Sequence, residues 1–168
     1  MVDNSSISKA LVIADRGYES YNNLAHIQEK EWFYLIRIKD GKSGIKQGLI
    51  LPDESEFDVH FTLKLTRKQP KETKELFKDR NHYKFVPANT TFDYLTVKNK
   101  KSDPTKFYEL KFRIVRFPLS EDKFETIITN LDADAYPMLK IKELYASRWG
   151  IETSFRDLKY TIGMLNFH

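Results

Sequence analysis

The amino-terminal part of the chain combines two short apolar runs with one helical pattern. Residues 10–14 (ALVIA) form an apolar run ending at Asp15, which indicates a buried strand followed by a turn. Residues 20–31 then place apolar side chains at helical spacing, and Ser20 is a suitable N-cap. Residues 32–39 (WFYLIRIK) are rich in aromatic and β-branched side chains and predict a second buried strand. This order predicts a parallel βαβ unit.

The middle of the chain alternates apolar and polar residues with a period of two. Residues 56–66 (EFDVHFTLKLT), 92–98 (FDYLTVK) and 108–114 (YELKFRI) each show this alternation, between charged and turn-rich segments. The pattern predicts antiparallel strands with one buried and one solvated face. Residues 124–131 (FETIITNL) predict one more strand.

A helical pattern begins at Met138 and continues to about residue 161. Asp132 or Asp134 is available as a cap before it, and Gly163 is placed to end it. The pattern contains four polar residues, which we call the polar strip: Tyr145, Arg148, Glu152 and Lys159. Counted from Tyr145, they lie at offsets of 0, 3, 7 and 14 residues. At about 100° per residue these four fall in one narrow sector. The polar strip lies beside an apolar stripe, at the edge of a buried face where a groove would be lined.

Composition limits the possible functions only mildly. With 40% apolar and 14% aromatic residues, the 168-residue chain can form one domain with a core and one large insertion. The net charge of +4 permits a polyanionic partner without requiring one. The absence of cysteine excludes disulfides and a cysteine zinc site, and the wide scatter of the four histidines argues against a histidine metal cluster.

The sequence predicts no membrane partner. Its apolar runs are too short to span a bilayer, and the first ten residues (MVDNSSISKA) lack the apolar region of a signal peptide. We therefore expect a cytoplasmic location.

Two carboxylates in these patterns have both an ordinary and a functional interpretation. Asp15 could be a turn or capping residue, and Glu152 could be a surface ion-pair partner of Arg148 or Arg156 at helical spacing. Alternatively, a carboxylate at a strand end faces the ligand crevice of an α/β fold and can hold a hard cation such as Mg²⁺. Arginine and lysine beside such a site are suited to phosphate.

Residues 14–22 (ADRGYESYN) and 145–159 (YASRWGIETSFRDLK) resemble the DDE transposases of bacterial insertion sequences, specifically the insertion-sequence-4-like group. That group carries Tyr-x2-Arg-x3-Glu-x6-Lys in its last catalytic helix, and the polar strip matches it at every spacing. The sequence DRGY matches the segment that holds the second acidic residue of the family, here Asp15.

The resemblance implies a DNA transposase that cuts and joins transposon ends by metal-dependent phosphodiester hydrolysis and strand transfer. Asp15 and Glu152 would be catalytic residues and ligands of Mg²⁺ or Mn²⁺ in a two-metal site. Arg148 and Lys159 would contact phosphates of the double-stranded transposon end, and Tyr145 would support that contact. Members of the family act on DNA as oligomers.

The implied fold class is α/β, with a partial ribonuclease-H-like core and a β-rich antiparallel insertion. The core would consist of strand-helix-strand plus a C-terminal catalytic helix. Residues 1–39 would form its first part, residues 40–118 the insertion, and residues 119–168 the return to the core with the catalytic helix.

One departure from the family changes the expected activity. The family places its first catalytic aspartate on a strand well upstream of DRGY, but fourteen residues precede Asp15, and Asp3 lies in a polar leader. We therefore expect a truncated transposase domain without its first core strands. A site with two of the family's three catalytic carboxylates should bind metal weakly, so we expect the chain alone to be inactive.

Two alternatives remain open from the sequence. The chain could be a non-catalytic DNA-binding module, with contacts from Arg148, Lys159 and the lysine-rich segments 64–78 and 98–106. It could also be a degenerate transposase remnant. Missing core strands would leave the sheet edge near residues 10–14 exposed, where a neighbouring molecule could pair with it.

Overall fold

The computed structural model describes residues 6, 8–40, 43–68, 71–96 and 107–148. They form six strands and three helices: β1 (Leu11–Ala14), α1 (Tyr21–Glu29), β2 (Phe33–Arg37), β3 (Phe57–Thr66), α2 (Lys71–Lys74), β4 (Tyr83–Phe85), β5 (Tyr108–Ser120), β6 (Lys123–Thr129) and α3, helical over 138–148. Short 3₁₀ turns occupy Arg16–Tyr18 and Leu76–Lys78. The chain divides into two compact units, Met1–Leu131 and Asp132–His168, which we describe separately.

The predicted βαβ unit is confirmed. β1 pairs in parallel with β2, from Leu11 opposite Phe33 to Ala14 opposite Ile36. The hydroxyl of Ser20 accepts a hydrogen bond from the Asn23 backbone N–H and so caps α1, as predicted. The helix buries Leu24 and Ile27, which gave the pattern its helical spacing, and also Ala25.

All six strands belong to one mixed sheet in the order β1-β2-β6-β5-β3-β4. The β2–β6, β6–β5 and β5–β3 pairs are antiparallel, whereas β3–β4 is parallel like β1–β2. The sheet therefore continues through all three segments predicted from the sequence. The boundaries of those segments, at 39/40 and 118/119, stay a prediction.

The alternating patterns of β3 and β5 match across the sheet, as predicted. Phe61 lies opposite Phe112 and Leu63 opposite Leu110, with the two phenylalanine rings stacked 5.2 Å apart. Their side chains project to the face that α1 covers, which we call the α1 face, and join the core cluster there. On the opposite face Leu35, Val115 and Ile127 are also fully buried. Both faces of the central strands therefore exclude water.

The strand predicted at residues 92–98 is not formed over 92–96, and residues 97 and 98 lie outside the described part. The guanidinium of Arg67 donates hydrogen bonds to the backbone carbonyls of four residues around this segment: Pro87, Thr90, Phe92 and Leu95. The Asp93 N–H donates to the side chain of Asn22. Phe92 and Leu95 are buried, so the alternation reflects packing of a turn rather than a strand.

The second unit begins with a capped turn. The Asp132 carboxylate accepts a hydrogen bond from the Ala135 N–H, and the carbonyl of Pro137 accepts the first helical bond from Ile141. The predicted helix is confirmed over 138–148, and its predicted continuation to about residue 161 lies outside the described residues. None of the helices in the described part of the chain has the length and hydropathy needed to cross a membrane.

Candidate active site

Asp15 follows β1 directly, at the carboxyl end of the parallel pair. Its Oδ1 accepts a hydrogen bond of 2.7 Å from the Arg16 N–H, and its carbonyl accepts one of 3.0 Å from Tyr18. Asp15 is therefore the N-cap of a 3₁₀ turn, which was the ordinary interpretation of its position. The side chain is still 46% exposed, so capping does not remove the carboxylate from solvent.

Arg37 and Glu125 lie beside Asp15 on the same face of the sheet, opposite α1. Arg37 is the last residue of β2, and its Nη1 lies 3.9 Å from Asp15 Oδ1. Its Nε forms a close ion pair with Oε1 of Glu125, whose side chain is only 2% exposed. β6 brings Glu125 to this position because it pairs antiparallel to β2, with Arg37 opposite Ile127.

A second carboxylate, Asp40, follows β2 but belongs to the α1 face. Its Oδ1 accepts hydrogen bonds from Arg116 Nε at 2.9 Å and from Thr126 Oγ1 at 3.1 Å. Because Thr126 and Glu125 are consecutive in a strand, they project to opposite faces of the sheet. Asp40 and Asp15 therefore do not share a site. A cleft of about 570 Å³ opens beside Asp40, not beside Asp15.

The Asp40 pair should make stability depend on acid pH. The hydrogen bond from Arg116 holds the pKa of Asp40 below its usual range. A lowered folded-state pKa contributes stability above the unfolded pKa of about 3.9, and this contribution disappears as pH falls through the folded pKa. Asp40→Asn should therefore cost about 0.5 kcal/mol near pH 7, a small value because the half-exposed pair is screened by water.

Thermal melting across pH checks this expectation. The gap in Tm between unsubstituted protein and Asp40→Asn should narrow as pH falls below the unfolded-state pKa of about 3.9 and close once pH has passed below the folded-state pKa of Asp40. Asp122→Asn, in the exposed β5–β6 turn, is the matched control and should show no such convergence. A gap that stays constant from neutral to acid pH would contradict the assigned role of Asp40.

α3 carries the first two members of the polar strip. The Arg148 guanidinium lies over the Tyr145 ring, 5.3 Å from its centroid, as expected for residues three apart on a helix. Tyr145 is buried whereas Leu144 is only partly buried. The buried face of α3 therefore includes Tyr145, a member of the polar strip, and does not stop at the edge of the strip. Glu152 and Lys159 lie outside the described residues.

A complete metal-binding set is not assembled within the described residues. No group of three histidine or acidic side chains among them could hold a metal ion. Asp15 by itself fits such an ion, because it offers carboxylate oxygen, the donor that Mg²⁺ and Mn²⁺ prefer, at a strand end open to solvent. Its predicted partner Glu152 is not described.

Arg37 and Glu125 were not predicted from the sequence. The available signal was a single acidic residue, Glu125, two positions before the apolar pair Ile127 and Ile128. Deciding that it faces Asp15 requires the β2–β6 register, which joins residues about ninety positions apart in the chain. Alternation alone does not supply that register.

Comparison with known proteins identifies the family. The family model described as Transposase DDE domain matches residues 2–168, nearly the whole chain. No curated protein and no solved structure matches the chain. The mixed α/β fold with one six-stranded sheet is compatible with a ribonuclease-H-like core. Such a domain implies DNA transposase function, DNA as the partner and divalent metals as cofactors. The chain belongs to the DDE transposase family.

Proposed function

We propose that this chain forms part of the catalytic domain of an insertion-sequence-4-like transposase, which cuts and joins transposon ends. The observation that carries the proposal is the position of Asp15. It is a half-exposed carboxylate at the carboxyl end of β1, in a parallel βαβ unit, on the same face as Arg37. Strand ends of this kind are where open α/β sheets bind their ligands.

In this proposal Asp15 and Glu152 are catalytic residues that hold Mg²⁺ or Mn²⁺. Such ions, when bound, activate the attacking water or 3′-hydroxyl and stabilise the leaving oxygen. The Asp15 carboxylate is held for this task by its bond to the Arg16 N–H, which fixes one oxygen while the side chain stays accessible. Glu152 would supply a second carboxylate from the segment for which the sequence predicts a continued helical pattern.

Arg148 and Lys159 would bind phosphates of the double-stranded transposon end. A guanidinium can contact two phosphate oxygens at once, so Arg148 would set the orientation of the backbone. Tyr145 would support that contact, because its buried ring lies against the Arg148 guanidinium and restricts the conformations of the arginine side chain. Lys159 would add a less directional positive charge.

The domain organisation is part of the same proposal. Residues 1–39 and 119–168 would contribute to a ribonuclease-H-like core, with residues 40–118 as a β-rich insertion. β1 lies at one end of the strand order of the described sheet, so its outer edge could pair with a further strand or with a neighbouring molecule. Because members of the family act on DNA as oligomers, pairing of β1 with a further strand and pairing with a neighbouring molecule are both compatible with the function.

The 168-residue chain alone should not cleave DNA. It supplies Asp15 and Glu152, and a two-metal site for phosphodiester chemistry needs further carboxylate ligands. Incubation with supercoiled plasmid and Mg²⁺ or Mn²⁺ tests this, with nicked circles as the readout. We expect no nicking above buffer. Nicking that disappears in Asp15→Ala would overturn the expectation of inactivity, although it would support Asp15 as a catalytic residue.

A non-catalytic DNA-binding module is the second candidate, and one pocket favours it. A pocket of about 250 Å³ at the β4 edge combines three partly buried aromatic rings with two cations: Phe77, Tyr83, Phe85, Arg80 and Lys84. Aromatic rings flanked by cations suit nucleic acid. Exposed Lys71, Lys74 and Lys78 extend this basic surface along the chain.

Electrophoretic shifts over a salt series test this second candidate. Binding through phosphates should weaken by about one log unit per log unit of salt for each phosphate neutralised. Combined Lys71→Ala and Lys74→Ala should lower affinity and the salt slope, whereas Lys123→Ala, at the start of β6 and away from this surface, should change neither. The absence of any shift at low salt would favour a degenerate remnant.

A further inference from the structure

We infer that Glu125 is a positioning residue of the proposed metal site, acting through Arg37 to keep Asp15 available to a divalent cation. The inference rests on the proposed function of Asp15 and adds two residues to it. Neither Arg37 nor Glu125 belongs to the sequence motifs that mark the family.

The geometry shows an arginine shared unequally between two carboxylates. Arg37 Nε is in close contact with Glu125 Oε1, whereas its Nη1 is 3.9 Å from Asp15 Oδ1, at the limit of an ion pair. Glu125 is almost fully buried and Asp15 is half exposed. The buried carboxylate is therefore the principal partner of Arg37, and the exposed carboxylate has only its weak second contact.

A cation beside a metal-binding carboxylate has two adverse effects. It repels an incoming divalent ion, and it competes for the same carboxylate oxygens. Glu125 counters both effects, because its charge neutralises Arg37 and its buried position draws the guanidinium into the sheet. Burial strengthens this pairing, since water screens it less than it screens the Arg37–Asp15 contact.

Removal of the Glu125 charge should therefore release Arg37 toward Asp15. In Glu125→Gln, which preserves side-chain volume, Asp15 is the carboxylate that remains within ion-pair range of Arg37 among the described residues. A direct Arg37–Asp15 ion pair should then form and exclude metal. Removal of Arg37 as well should make Asp15 available again, because the competing guanidinium is gone. The inference thus predicts recovery in the double variant, which a purely structural role of the pair would not produce.

Mn²⁺ binding to the 168-residue chain, measured by electron paramagnetic resonance of free Mn²⁺, tests the inference. We expect Glu125→Gln to weaken affinity about fivefold, as the local field loses one negative charge. The double variant Arg37→Gln/Glu125→Gln should bind Mn²⁺ at least as well as unsubstituted protein. Circular dichroism establishes that each variant is folded. If Glu125→Gln does not fold, the double variant, which removes the Arg37 guanidinium together with the Glu125 charge, still carries the test.

Four outcomes of these measurements bear on the inference. Unchanged affinity in folded Glu125→Gln, or a double variant that binds more weakly than unsubstituted protein, would overturn the role of Glu125. Asp15→Asn, measured in parallel, separates this failure from failure of the proposed function. If Asp15→Asn lowers Mn²⁺ affinity while Glu125→Gln does not, only the inference fails. If Asp15→Asn leaves affinity unchanged, Asp15 is not a metal ligand and both proposals fail.

Discussion

Asp58→Ala is expected to destabilise the protein by about 3 kcal/mol, because it leaves a buried guanidinium without its carboxylate. Arg113 is 2% exposed and donates from Nε to Asp58 Oδ1 at 3.0 Å, with a second close bond from Nη2 to Oδ2. Its Nη1 donates to the Leu131 carbonyl at 3.0 Å. The value lies at the low end for a broken buried pair because Asp58 is itself 24% exposed.

Urea unfolding of matched variants measures this cost. Asp53→Ala, in an exposed loop, removes the same charge and should change the free energy of unfolding by less than about 0.5 kcal/mol. The double variant Arg113→Met/Asp58→Leu should recover most of the loss, since an apolar pair of similar volume leaves no buried charge. A single Asp58→Ala as stable as Asp53→Ala would show that the pair does not hold β3 to β5.

Leu110→Ala should cost about 3 kcal/mol by opening a cavity at the centre of the sheet. Leu110 is fully buried in β5, opposite the equally buried Leu63 of β3, within the core under α1. On one side β5 is paired with β3 from Phe57 opposite Arg116 to Leu65 opposite Tyr108, and α1 packs on the same core, so the surrounding atoms have little freedom to close the cavity.

Lys111→Ala is the matched control for Leu110→Ala, one position along the same strand. Its side chain is 71% exposed, and its only ion-pair partner among the described residues is exposed Glu109. We expect a change below about 0.5 kcal/mol, again by urea unfolding. Equal costs for the two variants would mean that the alternation in β5 does not separate a buried from a solvated face.

Strands and the first helix could be predicted because their patterns are local. The period-two alternation of β3 and β5 and the Ser20 cap of α1 depend on residues close together in the chain. Residues 92–96 alternate equally well and still form a turn. There Arg67 and Asn22, both distant in sequence, satisfy the backbone groups that a strand would have paired.

In the candidate site, too, residues marked by a local motif could be predicted, and residues placed by distant contacts could not. Asp15 could be singled out because a short motif places a carboxylate after a strand, whereas Arg37 and Glu125 depend on strand register. Tyr145 was placed at the edge of the buried face of α3, but it is fully part of that face. A helical wheel gives relative angles along one helix and does not determine which sector the rest of the protein covers.

The central claim is that Asp15 and Glu152 are ligands of one metal site, and the Mn²⁺ affinity of five chains tests it most directly. Unsubstituted protein would be compared with Asp15→Asn, Glu152→Gln and the double variant, with Asp122→Asn as a control for lost surface charge. If both carboxylates hold one ion, each single variant should weaken binding by about tenfold, and the double variant should be little worse than either, because the effects of coupled residues are not additive. Single variants that bind Mn²⁺ as tightly as Asp122→Asn would contradict the claim.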